Sequence, residues 1–452
     1  MTLGSWRSLW WSMGVLLSWG LAAPARAQAT GPERVAVRAA RLFDGRSAKL
    51  VTKAVVLIEG NRIQAVGSGL AIPEGTRVLE LGDVTLLPGL IDTHSHLLTN
   101  LELGGDGSSM ELQVARMSTA ERALMGAKLG RELLEAGITT VRDVGNSGVN
   151  GDVALRNAIQ RGWVEGPRIS ACTRALAPQG GQFGQLQQPV QGLIDQEYVT
   201  VTGVDEARRA VRQAVYDGAD CIKVIVDNGH NILSVEELKV IVEEAHRVKR
   251  PVAAHTTKDD SIRAAVEAGV DSIEHGYALP DDVLAPMVRK RIFLVPTEGP
   301  LEICEEFPSD AGDAEARRAM KERCQKLVAK GYERTRRAVA AGVRLAAGSD
   351  MYLAVPGQTR GASTMRSLTA HGEAGLPPVE VLRAATANAA ELLRMQDRVG
   401  TLEAGRLADL IAVNGDPLKG LKALRQVRFV MKDGKVVVDA QGALSPVATP
   451  AR

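Results

Sequence analysis

The chain has 452 residues, 45% of them hydrophobic, and its 55 Lys and Arg against 53 Asp and Glu leave a formal net charge of +2. That length supports one large barrel with a smaller satellite, or two medium domains, and the apolar share excludes disorder over most of the chain. Basic and acidic residues are mixed throughout, so no Lys- and Arg-rich patch points to a nucleic-acid partner.

At the N-terminus Arg7 precedes an apolar run from Leu9 to Leu21, and Ala25-Arg26-Ala27 offers small residues to signal peptidase. A membrane anchor needs roughly 20 apolar residues, and this run is shorter and broken by Ser12, Gly14, Ser18 and Gly20. A signal peptide over 1–27 is therefore expected, with a mature periplasmic or secreted protein that begins at Gln28 and has no membrane anchor. A disordered extension is the alternative. Cys172 and Cys221 lie in strand-like runs and are expected to pack inside, whereas Cys304 and Cys324 flank a charged helical stretch and can pair.

Residues 28–88 read as a small all-β unit, with pieces such as Val35-Ala36-Val37, Ala54 to Ile58 and Ile63 to Val66 around Gly60-Asn61. Residues 399–452 give the same signal in Ala408 to Val413 and in Phe429 to Val438, the second folding back at Asp433-Gly434. The two ends are expected to complete one composite β-sandwich. Between them, over 89–398, short apolar runs alternate with helical intervals eight times, the pattern of a distorted (β/α)8 TIM barrel in the α/β class. The runs end in Thr93-His94, Arg142-Asp143, Ser170-Ala171, Lys223-Val224, Ala254-His255, Glu274-His275, Pro296-Thr297 and Ser349-Asp350. One interval, Val235 to Lys249, places Leu238, Ile241, Val242 and Ala245 on one face behind a Ser234/Glu237 cap. Gln179 to Gln191 reads as a loop over the barrel mouth, and 301–341 as a charged helical insertion, a lid or an oligomer contact.

The order of ligand-type residues along the strands carries the chemistry. His94 and His96 alternate by two, so on an extended strand both imidazoles face the barrel mouth and suit a zinc-class ion. Such a pair alone is more often two satisfied polar residues; four later strand ends that each carry a candidate ligand change that balance. Lys223 sits inside the apolar run Cys221 to Val226, where a free ammonium is costly. Either an ion pair with Asp143 or Glu274 compensates it, or the neutral amine adds carbon dioxide and becomes an anionic carbamate bridging two cations. His255 and His275 close the fifth and sixth strands, each a ligand or a core histidine, and Asp350 ends the eighth, a ligand and proton acceptor or a helix cap.

The series His94-x-His96, Lys223, His255, His275, Asp350 on strands one, four, five, six and eight resembles the amidohydrolase superfamily, over nearly the whole mature chain. Pro88 to His96, Ser272 to Gly276 and Gly405 to Leu410 look like the branch containing imidazolonepropionase and the Xaa-Pro or Xaa-Arg dipeptidases, and ochratoxin-hydrolysing amidases are similar too. The resemblance implies two divalent ions, zinc by preference, with Lys223 carboxylated as the bridging ligand. Lys223 also separates the chain from imidazolonepropionase and typical deaminases, which use one metal. One departure is Gly180-Gly181-Gln182, where the family often has Gly-Gly-His, so Gln182 can hydrogen-bond but carries no charge.

The expected activity is metal-assisted hydrolysis of a small amide, such as a dipeptide or N-acyl amino acid, with Asp350 taking a proton from water and returning it to the leaving nitrogen. A free carboxylate on the substrate would need a donor, for which Arg142, Arg174 and His230 are candidates, and Tyr277 after strand six is a further substrate contact. Rival readings are a cyclic-amide hydrolase, a lactonase or organophosphate hydrolase, and a non-catalytic protein that keeps the barrel as a scaffold. A homo-oligomer is compatible with the sequence.

Overall fold

The computed structural model describes residues 32–102, 107, 109–183, 185–229, 231–306 and 313–440. The export signal at 1–27 and His230 lie outside the described residues.

Both chain ends build one satellite unit, as their patterns require. Its hydrogen bonding runs as a single eight-stranded ladder in the order Lys435–Asp439, Val427–Lys432, Leu410–Asn414, Val84–Pro88, Arg34–Leu42, Val51–Glu59 and Arg62–Ser68, with Arg77–Glu80 paired to Arg34–Leu42. The seam between the ends is Leu410–Asn414 antiparallel to Val84–Pro88. Burying Val37, Leu42, Val56, Leu86, Leu410 and Phe429 in one cluster ties the N-terminal strands to the C-terminal ones.

The barrel begins at Leu90–Ser95, which pairs in parallel with Ile138–Asp143, itself paired with Arg168–Ala171. A second parallel ladder runs Ala175–Ala177, Ile222–Ile225, Val252–Thr256, Ser272–His275 and Phe293–Val295. The third strand of the sequence pattern is thus split, with Thr173 at a left-handed φ of 62° between its halves. The eighth run forms no ladder of its own. Single bridges carry it instead: Leu294 with Leu345 on one side, and Thr93 N–H to the Ala347 carbonyl and Asp350 N–H to the His94 carbonyl, both at 2.8 Å, on the other. Those bonds close the barrel. The helix expected over Val235 to Lys249 spans Val235–Arg247, with both halves of the Ser234/Glu237 capping box formed.

Two disulfides form, Cys172–Cys221 and Cys304–Cys324. The second is the pair the sequence allowed. The first corrects the expectation that Cys172 and Cys221 merely pack inside: both are buried, but they are bonded to each other across the third and fourth strands. The insertion comprises Ile303–Glu306 and a helix over Ala314–Ala340, whose later half buries Tyr332 and Ala338 while Met320 and Leu327 in its earlier half are exposed. Among the described residues no helix is long and apolar enough to cross a membrane.

Candidate active site

Ladder register determines what faces the barrel interior. Ile225 lies beside His255, and His255 beside Glu274, so the two-residue alternation puts Lys223, His255 and Glu274 on one side. Plain alternation would send His275 the other way. Its backbone instead turns into the left-handed region at φ 62°, and Asp350 does the same at φ 49°, a strain that clusters at functional sites. Gly348 is the close approach that the eighth run needs, because a Cβ there would meet the His94 Cβ at 2.6 Å and the Val295 Cγ1 at 2.5 Å.

These turns converge on a cavity of about 400 Å³ lined by His94, His96, Lys223, His255, His275 and Asp350, with Gln182 and Tyr277 from the following loops. Asp350 Oδ1 stands 3.3 Å from His96 Nε2 and 3.6 Å from His94 Nε2, and its Oδ2 is 3.7 Å from His275 Nδ1. All six metal-ligand candidates of the sequence are therefore in one place.

Beneath them a buried layer orients the rings. His94 Nδ1 donates to Glu274 Oε2 at 2.6 Å, and His96 Nδ1 donates to the Gly145 carbonyl at 2.8 Å, which leaves each Nε2 lone pair free. Thr297 gives its hydroxyl proton to the Pro296 carbonyl and so accepts from His275 Nδ1 at 2.8 Å. Glu274 is itself held by Arg142 Nη2 at 2.7 Å and by the Ser272 hydroxyl. Asp92 accepts from the Ser349 backbone at 2.9 Å and its hydroxyl at 2.6 Å, fixing the turn into Asp350; burial pushes the Asp92 carboxyl up to about 6.

Burial, reinforced by Lys223, holds His94 well below the usual imidazole range and His255 down at about 3. Burial and then His255 do the same to His275. Neutral imidazoles are the ligand form. Burial also lowers Lys223 to about 8. The ion pair offered as its compensation is not made, because Glu274 is committed to Arg142 and His94, and Asp143 to the Leu97 and Gly145 amides and the Ser147 hydroxyl. Neutral rings, a carboxylate and a lysine poised to lose its proton fit divalent cations; His94, His275 and Asp350 offer ligand atoms that all lie within 4.8 Å of one another.

The amidohydrolase family profile matches residues 85–437. The chain belongs to that family. It is accordingly a hydrolase acting on carbon–nitrogen bonds, built on a TIM barrel with an added domain. It is 32% identical over 387 residues to ochratoxinase of Aspergillus niger, covering 78% of this chain and 75% of that one. Imidazolonepropionase of Symbiobacterium thermophilum is 26% identical over 381 residues, 78% of this chain and 81% of the enzyme. A crystal structure of a Xaa-Pro dipeptidase with bound methionine superposes with a TM-score of 0.76 at 28% identity, over 90% of this chain and all of the other.

Within this amidohydrolase the candidate substrate contacts fare differently. Gln182 reaches the cavity: its Oε1 lies 3.4 Å from the Tyr198 hydroxyl and its Nε2 is 3.5 Å from both His255 ring nitrogens. Tyr277 stacks on His275 with ring centroids 5.3 Å apart. Arg142, however, is completely buried below the site, donating to the Thr93 carbonyl, Ser272 and Glu274. It is a holder of Glu274, not a carboxylate anchor, because a guanidinium desolvated this deeply is kept by its carboxylate partner. Arg174 does not line the cavity, and its guanidinium goes to the Asp195 carbonyl at 2.7 Å.

Sequence reasoning passed over Ser109, Glu111, Asn146 and Tyr352, which also line the cavity. Tyr352 follows Asp350 by two residues, a spacing that could have flagged it. Asn146, at a left-handed φ of 56°, follows strand two in Asp143-Val144-Gly145-Asn146, whereas nothing about Glu111 in the chain marks it.

Proposed function

We propose that the protein is a binuclear metal-dependent amidase that cleaves small amides such as dipeptides or N-acyl amino acids. The observation that carries this reading is the convergence of His94, His96, Lys223, His255, His275 and Asp350 on one cavity. Two zinc-class ions would be held by that donor set, with Lys223 carboxylated as one of the ligands: the neutral amine would add carbon dioxide, release a proton and become an anion. When bound, such ions supply Lewis acidity and lower the pKa of a water.

The chain's own residues do the rest. Asp350, partly exposed at the cavity and aligned by the Asp92–Ser349 turn, accepts the proton of the attacking water and passes it to the nitrogen as the carbon–nitrogen bond breaks, yielding a carboxylic acid and an amine. The Glu274 and Gly145 contacts keep His94 and His96 in the tautomer that binds metal. Export is proposed alongside, since a disulfide pairing of every cysteine in the chain suits an oxidising compartment.

The test is a panel of dipeptides, N-acyl amino acids, lactones and phosphotriesters with the zinc-loaded protein. Amine release from the first two classes is expected. Turnover of lactones or phosphotriesters with no amide cleaved would overturn the reading.

A further inference from the structure

The cavity wall away from the metal ligands has a charge of its own. Among the described residues lining the cavity there is no arginine and the only lysine is Lys223, which belongs to the ligand set. The one charged group outside that set is Glu111, in the first turn of the helix over Met110–Arg116. Its carboxylate is half-buried, and its polar partner among the described residues is the Ser109 hydroxyl, which donates to Oε2 at 2.8 Å. A neutral hydroxyl leaves most of a carboxylate's acceptor capacity unused.

The groups beside it are built firmly. Asn146 is 6% exposed; its Oδ1 accepts from the Tyr198 hydroxyl at 3.1 Å, and its carbonyl accepts from Arg122, a buried guanidinium paired with Glu197. With Oδ1 taken, the amide left to a ligand is Nδ2. Gln182 Oε1 lies 3.4 Å from the same hydroxyl, and the Gln182 amide nitrogen lies 3.5 Å from the His255 ring. The wall therefore offers amide donors next to the ligand set and a carboxylate acceptor at Glu111. A ligand that fits carries a polar acceptor such as a carbonyl toward the histidines and a cation away from them, since a cation is repelled by divalent ions and attracted to an unneutralised carboxylate.

We infer that Glu111 is a specificity-determining residue that selects amide substrates bearing a free ammonium, so that the enzyme prefers ammonium-bearing dipeptides to those without one. This rests on the amidase reading and narrows it. The ammonium can be the substrate's α-amine or a lysine-type side chain, the chemistry being the same.

Binding and turnover are measured separately so that the two readings can fail separately. In the zinc-loaded Asp350→Asn protein, calorimetric titration with methionyl-proline, N-acetyl-methionyl-proline and N-acetyl-lysyl-proline reads affinity without cleavage. The inference expects an ammonium-bearing dipeptide to bind at least about tenfold more tightly than N-acetyl-methionyl-proline. Preference for methionyl-proline assigns Glu111 to the α-amine, and preference for N-acetyl-lysyl-proline to the side chain. Adding Glu111→Gln should bring the ratio within about threefold, and Glu111→Asp should retain part of it. Equal binding of all three ligands, no binding of any, or a preference that survives Glu111→Gln would each overturn the inference. Hydrolysis of N-acetyl-methionyl-proline by the wild type would still leave the amidase reading standing, whereas no amide cleaved by the zinc-loaded wild type would remove that reading whatever the titrations show.

Discussion

Two buried polar clusters sit on the same barrel and are finished differently. Below the cavity, Arg142, Glu274, Ser272, Asp92 and Ser349 form a layer in which the ionic groups answer one another, and the bonds left over reach upward to His94 and to the turn before Asp350. At the seventh strand Glu298, Arg334 and His371 are also buried, yet Glu298 Oε2, Arg334 Nε and both ring nitrogens of His371 have no hydrogen-bond partner among the described residues. Buried charge by itself thus does not locate an active site. What separates the first cluster is direction: its contacts fix the rings of residues whose free lone pairs open onto a cavity, while the second leaves donors and acceptors of its own unpaired.

The comparison is tested most severely at Asp350. Asp350→Asn should keep an oxygen ligand and lose proton transfer, lowering kcat by about a hundredfold or more. Steady-state kinetics on the metallated variant checks this, and near wild-type turnover would assign the proton to another group. Glu274→Gln comes next, because it strands the Arg142 guanidinium and lets the His94 ring turn. Breaking a buried pair costs about 3–5 kcal/mol, and loss of an orienting partner costs about 10–100-fold in metal affinity. Competition with a chromogenic chelator reads the affinity, and an unchanged value would mean that the layer below only packs. Gly348→Ala should also act, since its methyl must displace the His94 backbone turn or Val295; a destabilisation of about 1–3 kcal/mol in urea unfolding is expected.

The effect on stability alone, with catalysis untouched, belongs to the second cluster. Burial lowers His371 to about 4, so between its unfolded value near 6.5 and about 4 the unfolded chain binds a proton that the folded chain refuses. His371 therefore costs stability as pH falls through that window, up to about 3 kcal/mol. Glu298, raised by burial to about 7, acts in the opposite sense, which is why the comparison must be made against a variant. His371→Leu should flatten the loss of thermal stability from pH 6.5 to 4 with activity retained at pH 7. An unaltered pH profile would show that His371 is hydrated or partnered in solution.

Much of the site was legible because barrel strands end at one face, so ligand-type residues at strand ends must meet. His94, His96, Lys223, His255, His275 and Asp350 were found that way. Residues that act through three-dimensional neighbours were not. Arg142 read as a candidate donor to a substrate carboxylate because its partner Glu274 is 132 positions away, and the Cys172–Cys221 bond depends on a strand register that no local pattern specifies. The eighth strand was found by its apolar run and its Asp350 terminus, yet it bonds through single bridges, a difference of backbone geometry to which hydrophobic pattern is blind. Glu111 escaped because an acidic residue opening a short helix looks like any other exposed one.

The central claim is that this cavity cleaves amides with the help of ions held by its own side chains. The direct measurement is amine release from methionyl-proline and N-acetyl-methionyl-proline by protein stripped with a chelator, before and after Zn2+ is restored in the presence of bicarbonate. The account predicts that stripping lowers the rate by at least about a hundredfold and that restoration recovers it with close to two ions bound per chain. Full activity in the stripped protein, or restored metal with neither amide cleaved, would contradict it.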